Sequence, residues 1–489
     1  MRRVWLLAFL GYLLLGAGWA LGVPVNGTYD EVQHIPRAYG VVTGQVYAQG
    51  YYFDGPASLL PGELTCFDKD KLAAGCQTPA PAAGTAEGDR TVRWPSAAAR
   101  YSPLYYAAVG VPLAVSPDLG GIIGARVLSA ALCALLLAAA VAIAYGLRNK
   151  LLVGAVLLVS TPMALNLNGS VNPNGMEISA GILAWVALLA LVRSTGNERR
   201  HLVAFAVGGA LLLTLRHMGP VLLAVVVLAA LVFAKRGRIR ELLRRADTRW
   251  ALGAIVAAGI LGLGWMLTSA VNDIPAIPDR AVHLSFAKTL EEIVRIRTPF
   301  YLNQVVGQFS YGELTMPGWV ILGWYALVAA LAVPAWLAAG RRYRIAVLGT
   351  ALASYGSLVA LELWFVPKLG WYSHGRYAMP AGVGLVLLAA FVAKGFTPEF
   401  PRKFVRVVVV VTGVLHVYAL AEVTLRYRDQ VTSMPSPAYA LSAGLAGVAL
   451  LGVMGWFFAS TQPTPTRHDP DTPNNVGRSS EDEAGAVAH

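Results

Sequence analysis

Asp30 and Glu31 are adjacent carboxylates directly behind the first apolar segment, with His34 and Arg37 close after them. A carboxylate can take the proton of an attacking hydroxyl, and an arginine beside it can hold an anion. On a helix, positions 30, 34 and 37 share one face. Ionisable groups at a membrane boundary are costly to hold there, and that cost suggests function. Glu31 also has a structural reading. Thr28 to Glu31 has the spacing of a capping box, with Thr28 as N-cap and Glu31 folding back from the third position. Asp30 is therefore the candidate general base, and Glu31 is a helix cap, a second catalytic carboxylate, or both.

Five further groups could complete a site. Tyr101 lies in Arg-Tyr-Ser-Pro-Leu-Tyr-Tyr, residues 100–106. In Ser170–Glu177, Asn-Pro and Asn-Gly favour a tight turn, which gives Asn172 and Asn174 a structural role. Glu177 falls a turn into an apolar helix, where it binds a sugar hydroxyl or a cation, or pairs with Arg216. Arg216 and His217 end another apolar run, and Arg126 inside the second run is either buried and paired or snorkels outward. Glu313 belongs to a glycine- and aromatic-rich entry to a later run, as a ligand contact or a solvated loop charge. The last group is His374, Arg376 and Tyr377, which open a helix against its dipole. A bound anion would compensate. Free N–H groups and a bidentate arginine fit a phosphate; the alternative is that Arg376 pairs with Asp30 or Glu31.

No organic cofactor is indicated. Asp30 and Glu177 could hold a divalent cation, although no spacing demands one. Cys66 and Cys76 share one loop without neighbouring histidines, a poor metal site but a fair disulfide in an oxidising compartment. The chain lacks a phosphate-cradling glycine loop of the nucleotide-binding kind.

The elements that must position these residues are apolar helices. Of 489 residues, 56% are hydrophobic and 13% charged, against about 25% charged in soluble domains. The apolar runs are continuous, which excludes an alternating β-barrel pattern. They predict an all-α, polytopic integral membrane protein of about twelve transmembrane helices, near 4–22, 119–147, 150–168, 174–194, 199–216, 219–234, 250–270, 319–339, 343–366, 377–395, 404–424 and 438–460. The first run could be a signal peptide, but its length favours an uncleaved anchor.

Alternating these spans places the dense Lys/Arg loops on one side, as the positive-inside rule requires. Lys235, Arg236, Arg238, Arg240, Arg244, Arg245 and Arg249 form one such loop. It reads as a topology determinant beside anionic lipid, not as a nucleic-acid surface, despite a formal charge of +12. The termini then face the cytoplasm of a cell membrane, and the candidate site faces outside. The transmembrane domain is 1–460, with extracytoplasmic loops at 23–118 and 271–318. The polar tail 461–489 reads as disordered.

The motifs, in this order, resemble a family of predicted bacterial membrane proteins related to the GT-C superfamily of polyprenyl-phosphate-dependent glycosyltransferases. They are Asp-Glu with a following histidine, Tyr-Ser-Pro-Leu-Tyr-Tyr, Asn-Pro-Asn-Gly-Met-Glu, Gly-Gln-Phe-Ser-Tyr-Gly and His-Gly-Arg-Tyr-x-x-Pro, over residues 1–425. Ser310 and Tyr311 depart from the Gly-Trp expected in the fourth. The resemblance implies a large first extracytoplasmic loop carrying an acidic catalytic residue, Asp30 as the base, and a donor-phosphate contact at Arg376. The implied donor is a polyprenyl-phosphate-linked sugar, and the acceptor a glycan, lipid or protein of the cell envelope. Competing classes are a lipid-linked glycan transporter or flippase, with carboxylates and helix breaks near the bilayer midplane, and a non-catalytic envelope scaffold.

Overall fold

A computed structural model of the chain describes residues 1–48, 50–62, 77–193, 197–269, 281–310, 312, 314–428 and 434–460. Cys66, Cys76, Tyr311, Glu313 and the tail 461–489 lie outside the described residues, and the disulfide expectation with them. Helices dominate the rest. Two short antiparallel ribbons are the sheet content among the described residues: Tyr52–Pro56 with Thr91–Pro95, Tyr52 opposite Pro95, and Gln308–Phe309 with Leu314–Thr315.

All twelve apolar runs are helical, but fewer qualify as spans. Among the described residues, nine helices are long and apolar enough to cross a membrane, or ten if one bent pair is counted. The expected span at 199–216 is the helix Glu198–Leu215, whose first turn carries Glu198, Arg199 and Arg200. That at 219–234 is Gly219–Leu231, thirteen residues, or about 20 Å of helix against a hydrocarbon core of about 30 Å. The bent pair is Lys150–Val159 with Pro162–Asn168, which turns by 67°. The break has a local cause. Pro162 has no N–H to continue the ladder, and Thr161 Oγ1 accepts from Ala164 N at 3.2 Å to start the second helix.

Helix Pro173–Arg193 is the axis of the bundle, and 94% of its apolar window is buried. It is apolar all round, as a central helix must be. Ala246–Thr268 is at the edge, with Ile260, Leu261, Leu263 and Leu267 exposed. An apolar exterior of this kind suits lipid. Helix Arg2–Gly22 packs between Leu119–Gly146 and Pro437–Ser460 through small residues, which allow backbones to close up. At Gly447 a Cβ would sit 2.5 Å from Leu15 N.

One local expectation is overturned. Helix Glu31–Val42 has Asp30, not Thr28, at its N-cap, and no side-chain cap. Glu31 turns into the bundle to meet an arginine instead of folding back.

Candidate active site

The two neighbouring carboxylates face different surroundings. Glu31 is fully buried and accepts from Arg126 Nε at 2.7 Å, from Arg126 Nη2, and from Val171 N at 3.0 Å. Arg126 also donates to the carbonyls of Ala20, Val23 and Pro24 at 3.0, 2.7 and 2.9 Å. All five guanidinium N–H groups thus have an acceptor. Arg126 is buried and paired, and Glu31 is its structural counter-ion.

Asp30 is different. Its backbone is left-handed, with φ 61°, a conformation that costs a non-glycine residue about 1 kcal/mol. Its side chain is 41% exposed while its partner, Arg376, is 1% exposed. Arg376 Nη2 donates to Asp30 Oδ2 at 2.6 Å. Arg376 Nε and Nη1 are buried and have no acceptor. The guanidinium lies over Tyr29 at 4.1 Å and Tyr377 at 5.1 Å. The carboxylate partner expected as one alternative is therefore present, and two nitrogens of the same arginine remain open.

Tyr377 connects this pair to a second one. Its ring lies 4.2 Å from the Arg216 guanidinium, which reaches Tyr101 at 5.5 Å on another side. Arg216 Nη1 donates to Glu177 Oε2 at 3.2 Å, and Asn174 Nδ2 to the same oxygen at 3.1 Å. Glu177 is fully buried, and its Oε1 has no partner. Asp30, Arg376, Tyr377, Arg216 and Glu177 so form one continuous set.

Other expected site residues build the walls. Asn172 donates to Tyr29 O at 2.8 Å and accepts from Asn174 N at 3.0 Å, which holds the chain before Asp30. Arg37 donates to Val46 O at 2.6 Å and Tyr101 O at 2.9 Å. Each terminal nitrogen thus meets one carbonyl, and Arg37 Nε is buried without an acceptor. His34 Nδ1 bonds Tyr106 OH at 2.7 Å. The His217 ring meets Tyr101 at 5.5 Å, and His374 lies between Tyr29 and Tyr377 at 5.2 Å from each.

Burial and neighbouring arginines push the three histidine rings toward the neutral form. Burial pushes His34 down to about 3, with Asp30 opposing and Arg216 and Arg376 reinforcing the shift. Burial, then Arg100 and Arg216, takes His217 to about 4. Burial and three arginines put His374 well below the usual range. Among the described residues no three His, Cys, Asp or Glu are grouped to hold a metal, and Asp30 and Glu177 each already face an arginine.

Sequence reading missed a layer behind the site. Glu362, Arg297, Tyr301, Gln304 and Ser373 form a buried network under His374. Glu362 was visible as a carboxylate inside the run 343–366, itself a signal; its partners were not.

No curated protein matches the chain. Two crystal structures of ArnT from Cupriavidus metallidurans are similar to it. The apo state shares 14% identity at a TM-score of 0.43, and the state bound to undecaprenyl phosphate 15% at 0.41; each comparison covers 92% of this chain and 77% of ArnT. The profile of the predicted membrane proteins DUF2142 matches residues 13–385. Matched over that length, the chain belongs to this family of predicted membrane proteins.

Proposed function

We propose that the chain is a membrane glycosyltransferase of the GT-C kind. It moves a sugar from a polyprenyl-phosphate donor to a glycan, lipid or protein acceptor outside the cell membrane, with inversion. The observation that carries this reading is the half-exposed Asp30 on a buried Arg376 whose Nε and Nη1 have no acceptor. The open nitrogens suit a phosphate oxygen, and Arg216 adds a second cation at the same set.

In this mechanism Arg376 Nη2 orients Asp30, and the other two nitrogens take the donor phosphate. The acceptor hydroxyl attacks the anomeric carbon opposite the phosphate. Its C–O bond forms as the sugar–phosphate bond breaks, the hydroxyl proton passes to Asp30, and polyprenyl phosphate leaves. Arg376 and Arg216 stabilise the charge that gathers on it. The neutral rings of His34, His217 and His374, with Tyr101 and Tyr377, would exclude water and offer faces to a sugar. Glu177 Oε1 is an open acceptor for a sugar hydroxyl.

The test is purified protein in detergent with a panel of polyprenyl-phosphate sugars, scored by release of lipid phosphate. Asp30→Asn should fold and reduce release by at least about 100-fold. Near-normal release by that variant removes Asp30 as base. The 67° break at residues 160–161 is the one observation that favours a transporter. Failure of every donor, together with movement of labelled lipid across proteoliposomes, would favour that reading.

A further inference from the structure

Five residues behind the site are joined into a single clamp that ends at Arg376. Glu362, fully buried in helix Arg341–Leu369, accepts on Oε1 from Arg297 Nε at 2.9 Å and Tyr301 OH at 2.7 Å. Its Oε2 accepts from Tyr372 N at 2.9 Å. Arg297 Nη2 donates to Ser373 O at 2.5 Å, and Ser373 Oγ lies 2.6 Å from Tyr301 OH. Gln304 continues the row: its Nε2 meets His374 Nδ1 at 3.0 Å, and its Oε1 accepts from Gly375 N at 2.8 Å. At Gly375 a Cβ would lie 2.2 Å from Tyr301 O, so only glycine fits against that helix. Residues 372, 373, 374 and 375 are thus each fixed, and the next is Arg376.

The clamp needs an irregular helix. Ile293–Arg297 is a π turn between the helices Phe286–Glu292 and Thr298–Val306. Thr298 Oγ1 bonds Ile293 O at 3.0 Å across it. A π turn shifts the register of the helix face by one residue, and Arg297, its last residue, reaches Glu362. A buried ion pair gives little net stability, because desolvation offsets the attraction. What this pair does supply is direction, since two oxygens and two guanidinium nitrogens fix Tyr301, Tyr372 and Ser373 in one arrangement.

We propose that Glu362, through Arg297, Tyr301 and the backbone of 372–375, is a positioning residue that aims the open nitrogens of Arg376 at the phosphate of a membrane-borne ligand. This rests on the phosphate reading of Arg376 above. Glu362 itself touches no ligand.

The test is a double-mutant cycle on the full-length protein, with undecaprenyl phosphate as probe and binding read from tryptophan fluorescence. Arg376→Ala should weaken binding about tenfold or more. Glu362→Ala should weaken it about as much in the wild-type background, yet by less than about twofold in the Arg376→Ala background, because the two act as one unit. Glu362→Gln keeps one carbonyl oxygen, for Arg297 Nε and Tyr301 OH, but sets an amide N–H2 against Tyr372 N, so it should recover only part of the affinity. Melting temperature should fall for Glu362→Ala by the same amount in both backgrounds, which separates folding from aim. Tyr301→Phe removes one hydroxyl from the clamp and carries the same test if Glu362→Ala does not fold. Additive losses from Glu362 and Arg376 overturn the positioning role alone. Wild-type affinity in Arg376→Ala overturns the phosphate reading and the positioning role together.

Discussion

At the scale of single residues, the site is built from groups whose charge state burial has already decided. His34, His217 and His374 are neutral at pH 7 because their rings are enclosed and arginines adjoin them. In the unfolded chain each titrates near 6.5. Between the folded and unfolded values the unfolded chain binds more protons, so stability rises with pH in that window. The contribution is complete above about pH 6.5 and is lost as pH falls toward 4, by up to about 1.4 kcal/mol per pH unit for each ring. Melting midpoints in detergent should therefore drop from pH 7 to pH 4.5, and His34→Gln should make the drop shallower. Midpoints that do not move over this range would contradict neutral, enclosed histidines.

At the scale of elements, the Glu31–Arg126 pair pins three pieces of chain. Arg126 holds the C-terminal end of helix Arg2–Gly22 through Ala20 O, Val23 O and Pro24 O, while Glu31 holds the turn at Val171. Removing only the cation leaves a carboxylate buried without a partner. Arg126→Met should cost about 3–5 kcal/mol. Adding Glu31→Gln should return part of that loss, since no charge is then stranded. Thermal melts of the two singles and the double decide it; a double mutant no more stable than Arg126→Met would refute the pin. The pair also explains what local sequence could and could not give. Spacing alone leaves Glu31 as a cap, a catalytic carboxylate or both, because its partner lies 95 residues away and no periodicity records it. The apolar runs, by contrast, are local signals, and every one of them became a helix. Their lengths as spans were less legible: the charges opening Glu198–Leu215, and the Thr161–Pro162 break, subdivide runs that hydropathy averages together. Arg376 was legible as an anion-binding group or a partner of Asp30; the geometry pairs it with Asp30 and leaves its Nε and Nη1 without an acceptor. The network under it was hidden, because Arg297 and Glu362 meet across 65 residues.

At the scale of the whole molecule, the two ends of the bundle differ in kind. The site gathers chain from Asp30, Tyr101, Glu177, Arg216 and Arg376 at one end. From Arg216 the chain leaves through Gly219–Leu231 to the basic helix Arg236–Arg244, then returns through Ala246–Thr268 until Trp265 Nε1 bonds Arg100 O at 2.9 Å, beside the site again. The basic helix is therefore at the opposite end. It is fastened there by Arg238, which donates to Leu191 O at 3.0 Å and pairs with Glu198 and Glu241. Exposed Arg236, Arg240 and Arg244 recur every four residues and form one cationic stripe. Such a stripe is held on the cytoplasmic face by the insertion bias for Lys/Arg and by anionic headgroups. With the stripe on that face, the expectation is a candidate site in the other compartment, the side on which the proposed donor would be presented. Single cysteines in a cysteine-free background test this. Arg240→Cys in intact cells should resist a membrane-impermeant maleimide, while Tyr47→Cys, at an exposed position beside the site, should label at once. Permeabilised cells should label both. Labelling of Arg240→Cys but not Tyr47→Cys in intact cells would invert the topology and, with it, place the candidate site in the cytoplasm, where a nucleotide-linked donor becomes the one to test.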